Sequence, residues 1–205
     1  MIVVECTKSG ISQCVQIIKQ GGVAVFPTDT VYGIGCDPYN QSAVNKVFRI
    51  KRRKENKPLP VLVSDQADAG RLVDLGEKGR LLASRCWPGP VTIVAPLLDR
   101  SIASTITAGT DSLGVRVPAN KCVLTLLQQC KYLVGTSANL AGEASPKSAS
   151  DVLESGLQGF DVLLDGGPTG SGKESTIVDV TNLSVIREGA ISSKIILEFL
   201  GSGKS

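Results

Sequence analysis

The feature that most restricts how this chain folds is a series of seven short apolar runs, each cut off by Gly, Pro or polar residues. They occupy residues 23–26, 60–63, 91–95, 113–117, 132–135, 162–164 and 176–180. Runs of three to five residues are too short for helices and read as strands. Pro27 stops the first, and Trp87-Pro88-Gly89-Pro90 is a rigid break ahead of the run at 91–95. Between the runs the apolar period becomes helical. Residues 11–19 are amphipathic and end at Gly21-Gly22. From Ser42, read as an N-cap, Ala43, Val44, Val47 and Ile50 recur at helical spacing until Pro58 bars continuation. Residues 79–86, 121–130 and 192–200 are further helical segments. Strands interleaved with helices predict an α/β fold with a twisted, mixed β-sheet flanked by helices. At 205 residues, one domain over residues 1–200 is expected, with residues 201–205 as a frayed tail.

Absences narrow the chemistry. There is no histidine, which excludes a Ser-His-Asp triad, a His-paired cysteine nucleophile and His-ligated metal centres from this chain. The six cysteines, Cys6, Cys14, Cys36, Cys86, Cys122 and Cys130, include no C-x-x-C pair and are expected to be reduced structural thiols. No metal site is expected from the side chains. No apolar run reaches the roughly 18 to 20 residues that span a bilayer, and the first residues lack the order of a signal peptide. The expectation is a soluble, cytoplasmic protein with no membrane contact.

Four segments bring polar chemistry to strand ends. Pro27-Thr28-Asp29-Thr30-Val31-Tyr32-Gly33-Ile34-Gly35 follows a buried run directly, where α/β folds present ligand loops. Its hydroxyls and carboxylate suit a small polar substrate, or equally a turn capped by Asp29. Lys46, Arg49, Lys51, Arg52, Arg53, Lys54 and Lys57 place seven of the 22 basic residues within twelve positions. On a continuing helix Lys46, Arg49 and Arg53 share a face, and such a surface holds nucleotide phosphates or an RNA backbone. Gly167 to Lys173 fits the spacing of a phosphate-binding P-loop, but Glu174 replaces the Mg²⁺-binding hydroxyl and a strand-like run follows, so that reading is rejected. Finally, Gly135-Thr136-Ser137-Ala138-Asn139 gathers hydroxyls and an amide after another apolar run.

Taken in order, PTDTVYGIG, K-x-R-x-x-x-K-P-L from Lys51 to Leu59, WPGPVT, GVRVP, TSANLAGE, ESTIVD and IREGAI resemble the YrdC-like family of threonylcarbamoyl-AMP synthases. The resemblance spans about residues 10 to 195. It implies a YrdC-like fold and a nucleotidyltransferase that uses ATP, L-threonine and bicarbonate, with Mg²⁺ accompanying ATP. The product, threonylcarbamoyl-AMP, would serve tRNA modification next to the anticodon through a downstream threonylcarbamoyl transferase. By position, the resemblance places Thr30, Arg116 and Ser175 on threonine. It places Lys51, Arg53, Lys57, Ser112, Ser137, Asn139, Ser145 and Arg187 on ATP, with Arg53 and Lys57 as the catalytic residues. Leu62 stands where many members carry a histidine, and Lys54 where a proline is common. The additional carboxy-terminal domain of longer relatives is not expected here. Two other readings of the residues are a tRNA- or double-stranded-RNA-binding module using the segment from Lys46 to Lys57, and an enzyme forming carbamoyl-AMP from carbamoyl phosphate.

Overall fold

The structure, a computed structural model, describes residues 1–170 and 172–201. The chain runs β1 (Ile2–Glu5), α1 (Lys8–Lys19), β2 (Ala24–Phe26), β3 (Gly33–Gly35), α2 (Gln41–Ile50), β4 (Val61–Val63), α3 (Gln66–Leu72) and α4 (Gly76–Cys86). It continues with β5 (Val91–Pro96), a short 3₁₀ turn (Ser104–Thr107), β6 (Ser112–Arg116), α5 (Lys121–Cys130), β7 (Tyr132–Val134) and β8 (Thr136–Ser137). The last elements are α6 (Ala149–Glu154), β9 (Val162–Asp165), β10 (Thr176–Asp179), β11 (Ser184–Arg187) and α7 (Ser193–Gly201). All seven apolar runs are strands, and the α/β class holds. Residues 202–205 of the expected frayed tail lie outside the described residues, and Gly201 closes α7. No helix among the described residues is long and apolar enough to cross a membrane.

The strands are shared between two mixed sheets. One has the order β1-β9-β2-β3-β8, the other β11-β10-β5-β6-β4-β7. In the first, β1, β9 and β2 run parallel, while β3 turns back on β2 and pairs antiparallel with β8. Alternation within its strands separates two cores. Ala24, Phe26, Val162 and Leu164 pack with Ile11, Val15 and Ile18 of α1 and Val123, Leu126 and Leu127 of α5. Val25 and Leu163 face the opposite way, toward Val44, Val47 and Phe48 of α2 and Val152 of α6. At full burial each such aliphatic side chain contributes about 1.5–3 kcal/mol.

Helix starts follow local hydrogen bonding. Asn40, two residues before the expected cap, accepts from Ala43 N at 3.0 Å, and Ser42 Oγ merely donates to Asn40 Oδ1. Asn120 caps α5 and Thr7 caps α1 in the same way. A further correction concerns the cysteines. Cys6 and Cys122 form a disulfide, their Cα atoms 5.9 Å apart. They are 116 positions apart in sequence and meet because α1 and α5 lie side by side on the first sheet, a proximity that spacing could not reveal. Cys14 and Cys36 are buried, which pushes both thiols up to about 12 and leaves them as inert core groups.

Candidate active site

The two sheets meet at a cavity of about 400 Å³. Its seam is the step from β7 in one sheet to β8 in the other, through Gly135 alone. A Cβ on Gly135 would sit 2.5 Å from Leu62 Cγ, so glycine lets the Leu62 side chain close the cavity wall there.

One end is built on the loop after β2. Thr28 donates its hydroxyl to Val31 O at 2.6 Å, which leaves Thr30 to donate to Thr28 Oγ1 at 2.9 Å and to accept from Arg116 Nη1 at 3.2 Å. Arg116, at the end of β6, also donates through Nε to Gly89 O and through Nη2 to Asp29 Oδ1 at 2.6 Å. The pair is buried, with side chains 7% and 13% exposed, and Asp29 accepts a second bond from Ala119 N. Burial pushes the Arg116 guanidinium down from its ordinary value and Asp29 opposes this. Three of the five guanidinium N–H donors are thereby taken, and two remain for a ligand. The hydroxyls of Ser175 and Thr92 complete this end, 2.9 Å apart across the parallel pair β10–β5.

The rest of the lining is cationic. Lys51, Arg52, Arg53, Lys54 and Lys57 contribute to it, and Arg187 joins the two parts, donating through Nη2 to the Ser175 hydroxyl at 3.3 Å. Here the helical-face expectation is corrected. The helix ends at Ile50, and Arg52 turns the chain with φ 50°, so Arg53 does not share a helical face with Lys46 and Arg49. Lys46 instead pairs with Asp161 at 2.6 Å. The turn buries Lys51, whose ammonium donates to Asn139 O at 2.7 Å and to Ser137 O. Burial, together with Arg53 beside it and against the pull of Glu174, lowers its pKa to about 8. Arg53 is aimed by bonds to Lys57 O and Pro58 O at 3.2 and 2.9 Å. Burial also lowers the Arg53 value.

Glu174 is the one carboxylate among the described residues lining the cavity. It accepts from Ser145 Oγ at 2.9 Å and pairs with Arg187. Burial pushes its carboxyl up, but Arg187, the hydroxyls of Ser137 and Ser145, and Lys51 outweigh this, and the net direction is down. The glycine-rich segment before it runs into strand β10, in keeping with rejection of the P-loop. Tyr32 ties that segment to the first loop, donating to Gly167 O at 2.8 Å and accepting from Gly166 N.

The structure therefore brings Thr30, Lys51, Arg53, Lys57, Arg116, Ser137, Asn139, Ser175 and Arg187 to one cavity. Ser145 reaches it through Glu174. Ser112 does not line it; its hydroxyl lies 3.3 Å from that of Thr110 at the start of β6. Glu174 and Thr92 were missed as site residues. The available signals were the sole acid beside Ser175 in ESTIVD, and a polar residue alternating with Val91 and Ile93 in WPGPVT.

A mixed α/β fold with a cationic, hydroxyl-rich cavity between two sheets defines the class, and comparison with known proteins supplies the family. The Sua5/YciO/YrdC family model, described as telomere recombination, matches residues 16–189. The chain belongs to that family. A Pyrococcus abyssi protein named threonylcarbamoyl-AMP synthase is 34% identical over 188 residues, covering 90% of this chain and 55% of that protein. One of the same name from Idiomarina loihiensis is 31% identical over 173 residues, covering 82% and 92%. The crystal structure of Pyrococcus abyssi Sua5 complexed with L-threonine is 31% identical, with a TM-score of 0.93, over 98% of this chain and 61% of that one. The chain thus spans little more than half of the Pyrococcus relative.

Proposed function

We propose that this protein is a nucleotidyltransferase forming threonylcarbamoyl-AMP and pyrophosphate from L-threonine, bicarbonate-derived CO₂ and ATP. The observation that carries the reading is one cavity with two unlike ends. Arg116, with two free donors beside the Thr30 and Ser175 hydroxyls, suits a small hydroxy-amino acid. The cations from Lys51 to Lys57, with Arg187, suit a triphosphate. The relatives' name and the threonine bound in the Pyrococcus structure support the same assignment.

Threonine's amine adds to CO₂ with loss of a proton, giving a carbamate. A carbamate oxygen then forms a bond to the α-phosphorus of ATP, and the bond from that phosphorus to the β-phosphate bridging oxygen breaks, releasing pyrophosphate. Arg53 and Lys57 neutralise charge as it builds on the phosphates, and Arg116 fixes the amino acid for in-line attack. No step requires histidine. Among the described residues no cluster of three or more Cys, Asp or Glu side chains forms a metal cage. The donor set fits Mg²⁺ bound mainly through phosphate oxygens and water, with Glu174 as the protein carboxylate in reach. The chemistry Mg²⁺ supplies when bound is charge neutralisation on the phosphates. We place the reaction in the cytoplasm, where a threonylcarbamoyl transferase would pass the product to tRNA.

The test is pyrophosphate release from ATP and bicarbonate with threonine, serine or no amino acid. Threonine-dependent release that falls about ten- to hundredfold in both Arg53→Ala and Lys57→Ala is expected. Release without any amino acid requirement, or none at all, would sink the proposal. RNA binding is the less favoured reading, because Lys51 and Arg53 are the more buried of the cations and line the cavity beside the hydroxyls of Ser137 and Ser175, and Lys46 is engaged by Asp161.

Lys51 adds a pH signature. Its ammonium is charged below about 8 and neutral above, so affinity for pyrophosphate should fall as pH rises through about 8. Lys51→Met should bind more weakly and without that inflection, as calorimetry across pH 6.5–9.5 would read. The sign for stability is opposite. Between about 8 and the ordinary 10.5 the unfolded chain holds the extra proton, so this group's contribution to stability rises with pH in that window.

A further inference from the structure

We propose that Glu174 is a displaceable counter-ion: it holds the donors at the cationic end of the cavity until a polyphosphate arrives, and then gives them up. The inference rests on the nucleotide reading above. Two arginine–carboxylate pairs flank the cavity and differ in kind. Arg116 and Asp29 are nearly inaccessible, and Asp29 is held a second time by Ala119 N. Arg187 and Glu174 are 41% and 32% exposed, and the second bond of Glu174 comes from a hydroxyl, Ser145 Oγ. The first pair is a fixture, while water and ligands reach the second.

Glu174 faces Arg187 from β11, Lys51 and Arg53 from the turn after α2, and the hydroxyls of Ser137 and Ser145. These are the groups that a bound phosphate needs, and the Arg187 donor that meets Glu174 cannot serve both anions at once. The main chain at this point is fixed, since Ala190 N donates to Glu174 O at 2.9 Å. Displacement is thus a side-chain rotation, and the loop need not open. Arg187 stays in place meanwhile, because its Nε and Nη2 also donate to Ser175 O at 3.2 and 2.9 Å. A lone, weakly charged anion competes poorly with a carboxylate already seated among these donors, whereas a polyphosphate offers more charge and more acceptors. Glu174 therefore sets how much negative charge a ligand must bring.

Calorimetric titration of wild type and Glu174→Gln with pyrophosphate, in chelator-treated buffer at one ionic strength, tests this. Removing the charge while keeping an acceptor for Ser145 should tighten pyrophosphate binding about tenfold. Unchanged or weaker binding by the folded variant overturns the counter-ion role. A crystal structure of the unaltered protein with pyrophosphate gives an independent answer: the Glu174 carboxylate should have left Arg187, and an intact pair beside the bound anion overturns the proposal. Wild type that binds ATP alongside an unimproved Glu174→Gln removes only this inference. Failure of wild type to bind either ATP or pyrophosphate removes the nucleotide reading as well.

Discussion

Replacing Arg116 with alanine should lower threonine-dependent pyrophosphate release by at least about a hundredfold and destabilise the fold by about 3–5 kcal/mol. The two losses have different origins. Activity falls because the two unspent guanidinium donors at the amino-acid end disappear. Stability falls because Asp29, its side chain only 13% exposed, loses its ion-pair partner and keeps just the bond from Ala119 N. Urea denaturation reads the second effect, and pyrophosphate release measured far below the midpoint reads the first. Arg116→Ala combined with Asp29→Asn separates them, since the double variant should regain much of the stability and none of the activity. Full activity in a folded Arg116→Ala would remove Arg116 from the amino-acid end.

Gly35→Ala should cost at least about 4 kcal/mol, a large share of the roughly 5–15 kcal/mol that holds a domain together. A Cβ at Gly35 would lie 1.5 Å from Val134 O, which is main chain and cannot rotate aside. Val134 N donates to Cys36 O at 2.9 Å, so the two strands are clamped where the clash would fall. Relief requires moving Val134, and with it Gly135 and the short strand β8 that carries Ser137 into the cavity. Loss of fold and loss of nucleotide binding should therefore appear together. Gly70→Ala is the matched control. Gly70 is exposed on α3 with nothing within 4 Å of its Cβ position, and the substitution should stabilise by about 0.5–1 kcal/mol. Thermal and urea melts of the two variants provide the comparison.

What could be read in advance divides along physical lines. Strands made of consecutive Val, Ile and Leu, such as β4 and β9, declare themselves because both faces are buried. β3, reading Gly-Ile-Gly, gives no such signal. Its glycines are demanded by Phe26 and Val134 pressing on it, a tertiary fact. β1 and β11 escaped for another reason: both are edge strands with mostly exposed side chains, so no burial pattern marks them. In the site, Thr30 and Ser175 were legible as hydroxyls in polar loops beside strands, and Arg116 only through the motif GVRVP that carries the family resemblance; all three line the cavity. Glu174 was not, because its meaning comes from Arg187, Lys51 and Arg53 converging on it from other parts of the chain. The basic segment was legible as a concentration of charge but not as a shape. Its helix stops at Ile50, and the left-handed turn at Arg52 redirects the cations into the cavity.

The Cys6–Cys122 bond has a consequence in the topology of the backbone. It closes residues 6 to 122 into a covalent ring, with residues 1–5 as a short open end and residues 123–205 as a long open arm. The cavity is assembled from both. Thr30, the basic turn from Lys51 to Lys57, Thr92 and Arg116 belong to the ring, whereas Ser137, Asn139, Glu174, Ser175 and Arg187 belong to the arm. The buried Arg116–Asp29 pair is thus confined within one closed loop, and the Arg187–Glu174 pair within the arm that lies against it. A single cut in the basic turn would open the ring without releasing a fragment, and the two walls of the cavity would remain parts of one molecule.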